Sequence, residues 1–216
     1  MRPLPCFEGR SVTVVAPHPD DETIAAFGVL HDALRHAKRV EVIVVTDGSA
    51  SHQSRRWPPR RLAAQRERET QAALARAGGG KHTLRFLRQP DSGLERLDRE
   101  GWRALVRQLR RGPEPDFVFR PSEADFHADH KLVARACKAA WPPRVRQFAY
   151  LVWPEEGARW RPRFELRLKG LRGQKRAAIR CHRTQTGLIA DDPDGFTMSP
   201  RMIARFCPPA ESFASG

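Results

Sequence analysis

Long apolar runs are absent from the sequence. No uninterrupted apolar segment approaches the roughly 20 residues that a membrane-spanning helix requires. The first residues carry a positive charge but lack the apolar stretch of a secretory signal. Hydrophobic residues make up 40% and charged residues 30% of the 216-residue chain, a balance typical of a soluble globular protein. We therefore expect a cytoplasmic protein that has no membrane segment.

Cysteine is scarce and scattered. The sequence holds four cysteines that lie far apart and form no Cys-x-x-Cys pair: Cys6, Cys137, Cys181 and Cys207. Structural thiolate zinc sites and the disulfide frameworks of small secreted domains use close cysteine spacings. The pattern therefore disfavours both and is typical of a protein from a reducing compartment.

Lysine is also scarce, although the chain is strongly basic. Only six of its 39 basic residues are lysine, and the formal net charge is +14. The densest basic stretch, residues 159–183, holds ten basic residues against Glu165 alone. Clustered arginine can bind nucleic acid by releasing counterions from phosphates, but an arginine bias can equally come from the base composition of a genome. Since no RNA-binding motif, Cys/His finger or heptad accompanies the stretch, we favour a solvated basic surface.

The first 150 residues alternate between strand and helix patterns. Short β-branched runs predict strands at residues 11–16, 40–46, 83–87 and 116–119. Apolar stripes predict helices at residues 24–34, 60–77, 102–109 and from 127 or 129 to just before Pro142. This alternation favours an α/β fold, a Rossmann-like and mostly parallel sheet with helices on both faces.

The regular patterns fade after Tyr150. The remaining sequence is rich in proline and arginine, with one helix predicted near residues 173–182. We therefore expect irregular C-terminal additions to the sheet. The predicted organisation is a single domain over residues 1–216, with its core at about 10–152 and an extension at about 153–216.

Polar side chains cluster where the first predicted strand ends, at His18-Pro19-Asp20-Asp21-Glu22. His18 and Asp21 are three residues apart across a turn and can converge on one ion. An imidazole nitrogen and a carboxylate oxygen together suit Zn²⁺. Taken alone, the cluster is equally well interpreted as a carboxylate-rich cap that opposes the positive end of a helix dipole.

A second polar cluster follows the fourth predicted strand and contains Asp125, His127, Asp129 and His130. The two histidines share a helix face, and an aspartate between them can fix an imidazole tautomer. A ligand from this cluster would complete a set of two histidines and one carboxylate with an open coordination position, as in hydrolytic zinc sites. Parallel sheets place their sites beyond the C-terminal strand ends, so the two clusters together predict a metal site there.

The two clusters resemble the motifs of the LmbE-like (PIG-L) deacetylase family. Its members are metal-dependent, mostly zinc-dependent, and remove acyl groups, usually acetyl, from amino sugars and their conjugates. The resemblance extends over most of the chain through Thr46-Asp-Gly48, Arg66-x-x-Glu69, Phe86-Leu-x-x-Pro-Asp91 and Lys175-x-x-Ala-x-x-x-His182-x-Thr-Gln185.

The resemblance implies three metal ligands: His18, Asp21 and His130. We expect Zn²⁺ as the ion, with Fe²⁺ or Co²⁺ as alternatives. Asp20 would be the general base, and His127, if protonated, would stabilise the oxyanion with Asp129 as its partner.

The resemblance also suggests that Asp47, Arg66 and Asp91 face the sugar. Each has a structural alternative: Asp47 as a turn residue, Arg66 in an ion pair with Glu69, and Asp91 in an Asx-turn. His182 is expected to be an ordinary surface or packing histidine.

The leading hypothesis is a zinc-dependent hydrolase that removes an acetyl group from an N-acetylated amino sugar or glycoconjugate. Within enzymes, the alternative is an amidase of a sugar-thiol conjugate or of another N-acyl amine. From a different class, the charge suggests a binder of anionic surfaces or nucleic acid with a vestigial site, although nucleic acid is the less favoured partner. If the basic stretch borders the pocket, it would favour an anionic substrate. A homo-oligomer is compatible with the sequence.

Overall fold

The structure, a computed structural model, describes residues 1–78, 80–154, 157 and 160–216. Within these residues, eight strands form one sheet: β1 (Arg2–Pro3), β2 (Ser11–Ala16), β3 (Arg39–Thr46), β4 (Thr83–Gln89), β5 (Phe117–Pro121), β6 (Arg146–Tyr150), β7 (Phe164–Arg167) and β8 (Ala210–Ser215). The same residues form six α-helices: α1 (Asp21–His36), α2 (Pro59–Ala77), α3 (Arg99–Leu109), α4 (Ala128–Ala140), α5 (Arg172–Ile179) and α6 (Pro200–Arg205). In this described part of the chain, no helix has the length and apolar character to cross a membrane.

The sheet is mostly parallel and has the order β1-β7-β8-β6-β5-β2-β3-β4. The five strands β6, β5, β2, β3 and β4 all run parallel to one another. β8 lies between β6 and β7 and runs antiparallel to both. The predicted α/β fold with a mostly parallel sheet is confirmed.

Helices cover both faces of the sheet, which explains why β2 and β3 are buried along nearly their whole length. Successive strand residues point to opposite faces. Val14 and Val44 pack in the apolar cluster that includes residues of α1, α2 and α5. Val15 and Val45 pack in a second cluster with residues of α3 and α4. The β-branched runs therefore fill two apolar layers rather than one.

The expectation of irregular C-terminal additions is wrong for two segments. β7 and β8 pair with each other, and β8 also pairs with β6, so they extend the sheet. β7 has only four residues, none of them buried, and in β8 one of the two buried positions is the charged Glu211, so the apolar alternation is short in β7 and interrupted in β8. Such a weak alternation gives little strand signal. The helix predicted near residues 173–182 is present as α5.

The order of the central strands opens a crevice between β2 and β5. After β2 the chain continues to β3 and β4 on one side, and after β5 it continues to β6 on the other. Connections that leave in opposite directions create the switch point at which parallel α/β sheets bind ligands. Residues 17–22 follow β2 and residues 122–130 follow β5, so the topology brings the two polar clusters to this crevice.

Candidate metal centre and active site

The connection from β2 to α1 has an unusual backbone at Asp20. Its φ is 149° and its ψ is −26°. Residues other than glycine rarely adopt this backbone conformation, which costs of order 1–3 kcal/mol. The Asp20 carbonyl accepts hydrogen bonds from the N–H groups of Thr23 and Ile24, which starts α1. The strained residue thus holds two adjacent carboxylates, Asp20 and Asp21, against different partners.

Three donor atoms from the two clusters form a compact triangle. His18 Nδ1 lies 3.3 Å from Asp21 Oδ2 and 3.2 Å from His130 Nε2, and His130 Nε2 lies 3.1 Å from Asp21 Oδ2. Metal–ligand distances of about 2.0–2.1 Å in a tetrahedral site would separate two donors by about 3.3–3.4 Å. All three side chains are buried. The triangle therefore fits three ligands of a tetrahedral ion and leaves a fourth position.

The charges around the triangle suit a cation. Burial would raise the pKa of Asp21, but the imidazoles of His130 and His18 lower it well below its ordinary value. Burial would lower the pKa of His130, but Asp21 and Asp125 raise it to about 9. Asp21 is consequently an anion, which is the form in which a carboxylate binds a metal ion.

Asp125 lies against the ring nitrogen of His130 that is not part of the triangle. The Asp125 side chain is fully buried, and its Oδ2 lies 3.1 Å from His130 Nδ1 and accepts hydrogen bonds from the N–H groups of Val152 and Trp153. A carboxylate against the outer nitrogen of a metal-binding histidine orients the ring and fixes its tautomer. This role of Asp125 was not predicted, although its place at the head of the second cluster was the available signal.

Asp129 contacts both histidines of the cavity wall. It was expected to be the partner of His127, and its backbone N–H does donate to His127 Nδ1. Its carboxylate Oδ2, however, lies 3.3 Å from His18 Nε2 and accepts a hydrogen bond from the Ser92 N–H at 2.9 Å. Asp91 Oδ1 also lies 3.3 Å from His18 Nε2. Two carboxylates thus hold the outer nitrogen of His18, which leaves Nδ1 facing the triangle.

Asp20 is paired with Arg66 rather than with the triangle. Arg66 Nη2 lies 3.2 Å from Asp20 Oδ2 and donates to the Pro19 carbonyl at 2.8 Å, while Nη1 donates to the Gly48 carbonyl at 2.9 Å. Both side chains are buried. Burial raises the pKa of Asp20 to about 7, although Arg66 lowers it. The alternative pairing of Arg66 with Glu69 is not what the structure contains.

His127 is half-buried and packs edge-on against His18, with 4.6 Å between the ring centroids. Burial and the charges of His18 and His130 lower its pKa, which disfavours the protonated form on which the expected oxyanion role was made conditional. Its Nδ1 accepts a hydrogen bond from the Asp129 backbone N–H. The proton of the neutral ring therefore lies on Nε2, and His127 remains a hydrogen-bond donor.

A cavity of about 320 Å³ opens beside these groups. Its polar wall includes His18, Asp20, Asp21, Arg66, Asp91 and His127. Its apolar wall includes Phe126, Trp153 and Phe196. This volume lies in the range of small-molecule sites.

Two expected features lie away from the cavity. The carboxylate of Asp47 accepts a hydrogen bond from the Ser49 N–H, as a turn residue does, and Asp47 is not among the lining residues. Among the described residues of the basic stretch, 160–183, none lines the cavity, and Arg159 lies outside the described residues. The condition under which this stretch would favour an anionic substrate, that it borders the pocket, is therefore not met in the part that the structure describes.

Of the two positions expected for His182, surface or packing, the structure contains the packing one. Its side chain is fully buried, and Nε2 lies 3.2 Å from Thr23 Oγ1 and 3.6 Å from Glu22 Oε1. His182 thus packs behind the first turn of α1. Gln185, three residues later, lines the cavity and was not predicted as a site residue.

The family model described as PIG-L, GlcNAc-PI de-N-acetylase, matches residues 13–141. The chain belongs to the PIG-L family. The match includes both histidine–aspartate clusters and confirms the resemblance that their motifs carry. A comparison with curated proteins gives no match.

Solved structures share the fold of this PIG-L protein. N,N'-diacetylchitobiose deacetylase from Pyrococcus horikoshii has a TM-score of 0.72 at 20% identity, over 95% of this chain and 83% of that chain. A conserved protein from Thermus thermophilus has a TM-score of 0.70 at 26% identity, over 95% and 94%. GalB, the 4-carboxy-2-hydroxymuconate hydratase from Pseudomonas putida, has a TM-score of 0.65 at 22% identity, over 80% and 78%. Because a deacetylase and a hydratase share the fold, the fold alone does not determine the reaction.

Proposed function

We propose that this PIG-L protein is a zinc-dependent N-deacetylase that releases acetate from an N-acetylated amino sugar or its glycoconjugate. The observation that carries the proposal is the donor triangle of His18, Asp21 and His130 at the wall of a cavity that Asp20 and His127 also line. The family model, described as a de-N-acetylase, supports the same reaction. A complete set of donors with its supporting carboxylates also argues against a vestigial site on a nucleic-acid binder.

His18, Asp21 and His130 would hold the ion, since two imidazoles and one carboxylate with an open fourth position suit catalytic zinc. Fe²⁺ and Co²⁺ accept similar ligands and are the alternatives. When bound, such an ion acidifies a coordinated water and polarises the acyl carbonyl.

Asp20 would act as general base and then as general acid. It takes a proton from the water that attacks the acyl carbon, and it returns that proton to the amide nitrogen as the C–N bond breaks. The products are acetate and the free amine. Arg66 holds the Asp20 carboxylate from its buried side, so the carboxylate keeps one position through both steps.

His127 would stabilise the negative charge on the carbonyl oxygen. Its Nδ1 is occupied by the Asp129 backbone N–H, so Nε2–H is the ring's donor. Preorganised donors aimed at a developing oxyanion contribute about 10²–10³-fold to turnover.

A screen for released acetate tests the proposal. The protein is loaded with zinc and incubated with N-acetylglucosamine, N,N'-diacetylchitobiose and other N-acyl amines, with Asp20→Asn as the inactive control. Acetate release that the Asp20→Asn protein lacks would support the deacetylase. A fully loaded protein that releases no carboxylic acid from any N-acyl amine would contradict it. Addition of water to an unsaturated acid, measured in parallel, would then point to the hydratase reaction.

A further inference from the structure

Gln185 is a buried amide in the wall of the cavity. It ends a 3₁₀ turn, Arg183–Gln185, and its exposed fraction is 1%. Its Nε2 donates to Ser51 Oγ at 3.2 Å and to Thr184 Oγ1 at 3.3 Å. Its Oε1 has no hydrogen-bond partner among the described residues.

The hydrogen bonds of Thr184 fix which end of the amide is free. The Thr184 hydroxyl donates its single proton to Glu69 Oε2 at 2.6 Å. Towards Gln185 this hydroxyl can therefore only accept, and Nε2 is the only donor that Gln185 offers. A flipped amide would place two acceptors against each other, so Oε1 is the atom left without a partner.

Glu69 holds the turn that carries Gln185. Besides the hydroxyl, its carboxylate accepts the Thr184 N–H at 3.1 Å and the Gln65 Nε2 at 3.0 Å, and Glu69 is buried. On the other side, the Gln185 carbonyl accepts the Met198 N–H at 2.7 Å. Arg66 and Glu69 lie one turn apart on α2, so one helix steadies both Asp20 and Gln185.

A buried acceptor without a partner costs free energy unless a ligand satisfies it. We propose that Gln185 is a substrate-binding residue whose Oε1 accepts a hydrogen bond from the substrate, and that Glu69 is its positioning residue. The donor is a sugar hydroxyl or the amide N–H of the acyl group, two groups of the same hydrogen-bonding chemistry. This assignment rests on the proposed function, because an N-acyl amino sugar supplies both donors.

The test measures binding without turnover. In zinc-loaded Asp20→Asn protein, calorimetry gives the Kd of N-acetylglucosamine, of its 3-, 4- and 6-deoxy analogues and of the analogue in which the acetamido nitrogen is methylated. Each Kd is measured in protein with Gln185 and in protein with Gln185→Met. Methionine keeps the length of the side chain but cannot accept a comparable hydrogen bond. We expect Gln185→Met to weaken N-acetylglucosamine binding about 5- to 100-fold. In the protein that keeps Gln185, one analogue should bind more weakly than N-acetylglucosamine by a similar factor. In the Gln185→Met protein, that analogue and N-acetylglucosamine should bind with the same Kd.

The analogue that shows this loss identifies the donor. A deoxy analogue would identify a hydroxyl, and the N-methylated analogue would identify the amide N–H. Glu69→Gln should give a smaller, analogue-specific loss of the same kind, which a general loosening of the fold would not produce. Gln108→Met, on α3 and away from the cavity, is the matched control and should leave every Kd unchanged.

Two results would overturn the assignment. The first is an unchanged Kd in Gln185→Met protein with normal zinc content. The second is an equal loss for all analogues, because no single donor would then depend on Gln185. Acetate release by the parent protein is measured separately. If release is normal while Gln185→Met has no effect, only this assignment fails; if the parent neither binds nor hydrolyses any N-acyl amino sugar, the proposed function fails with it.

Discussion

The carboxylates of Asp20 and Asp21 face different partners, although the two residues are adjacent in the chain. Asp20 Oδ2 lies 3.2 Å from Arg66 Nη2, whereas Asp21 Oδ2 lies within 3.3 Å of both ring nitrogens of the triangle. The two side chains diverge at the start of α1, where the backbone of Asp20 has a φ of 149°.

Because the two carboxylates have different partners, we expect the same substitution to have different effects at Asp20 and at Asp21. Asp20→Asn should keep stoichiometric zinc and lower kcat about 10²–10⁴-fold, because it removes only the base. Asp21→Asn should weaken zinc binding by more than the roughly 10–100-fold that outer-shell changes cost, because it removes a ligand. Zinc content by elemental analysis and acetate release measure the two effects. If Asp20→Asn were metal-free and Asp21→Asn fully loaded, the two roles would have to be exchanged.

The two polar clusters could be predicted from sequence and the family resemblance implied the three residues of the triangle, but the surroundings of the triangle could not be predicted. His18 and Asp21 follow one strand and His130 another, and a parallel sheet with β2 beside β5 brings such segments together. The contact of Asp129 with His18 depends on where the Ser92 loop lies, which no local pattern encodes. Glu69 and Thr184 are far apart in the chain, so their hydrogen bonds leave no periodic signal.

Asp125 should matter for metal affinity although it is not one of the three proposed ligands. Asp125→Asn removes the negative charge beside His130 Nδ1, so that ring loses its orienting partner. We expect zinc affinity to fall about 10- to 100-fold, measured by competition with a chelator. Glu123→Gln is the control, since Glu123 lies in the same connection but pairs with surface Lys138. Equal zinc affinity in Asp125→Asn and the parent protein would contradict this role.

Gly48 is needed beside Arg66. Its φ is +67°, and a Cβ there would lie 2.6 Å from Arg66 Nη1, an atom that buried hydrogen bonds hold in place. Gly170 has a similar φ of +72°, but a Cβ would meet no atom within 4 Å. Both alanine variants incur a backbone strain of about 1–3 kcal/mol, whereas only Gly48→Ala displaces Arg66 from Asp20.

Gly48→Ala should therefore lose more stability than Gly170→Ala in urea unfolding, and it alone should lower kcat. The comparison separates the steric effect from the backbone effect, since the two positions share their φ region. Equal losses of stability with unchanged kcat in both variants would show that the contact with Arg66 is unimportant.

Phe126 is exposed where a ligand would be expected to cover it. Its exposed fraction is 68%, and apart from Met1 no other large hydrophobic residue in the described part of the chain is so open. It lines the cavity with Trp153 and Phe196, and apolar surface at the rim of a polar site commonly marks a binding surface.

Phe126→Ala should leave the free energy of unfolding within about 0.5 kcal/mol of the parent value, because the ring contributes little packing. It should raise KM for amino-sugar substrates several-fold and leave kcat nearly unchanged, because the ring lies outside the reacting groups. Phe126→Tyr, which keeps the ring, should restore the parent KM. A large loss of stability in Phe126→Ala, or a KM that Phe126→Tyr fails to restore, would show that the ring acts through the fold rather than through the substrate.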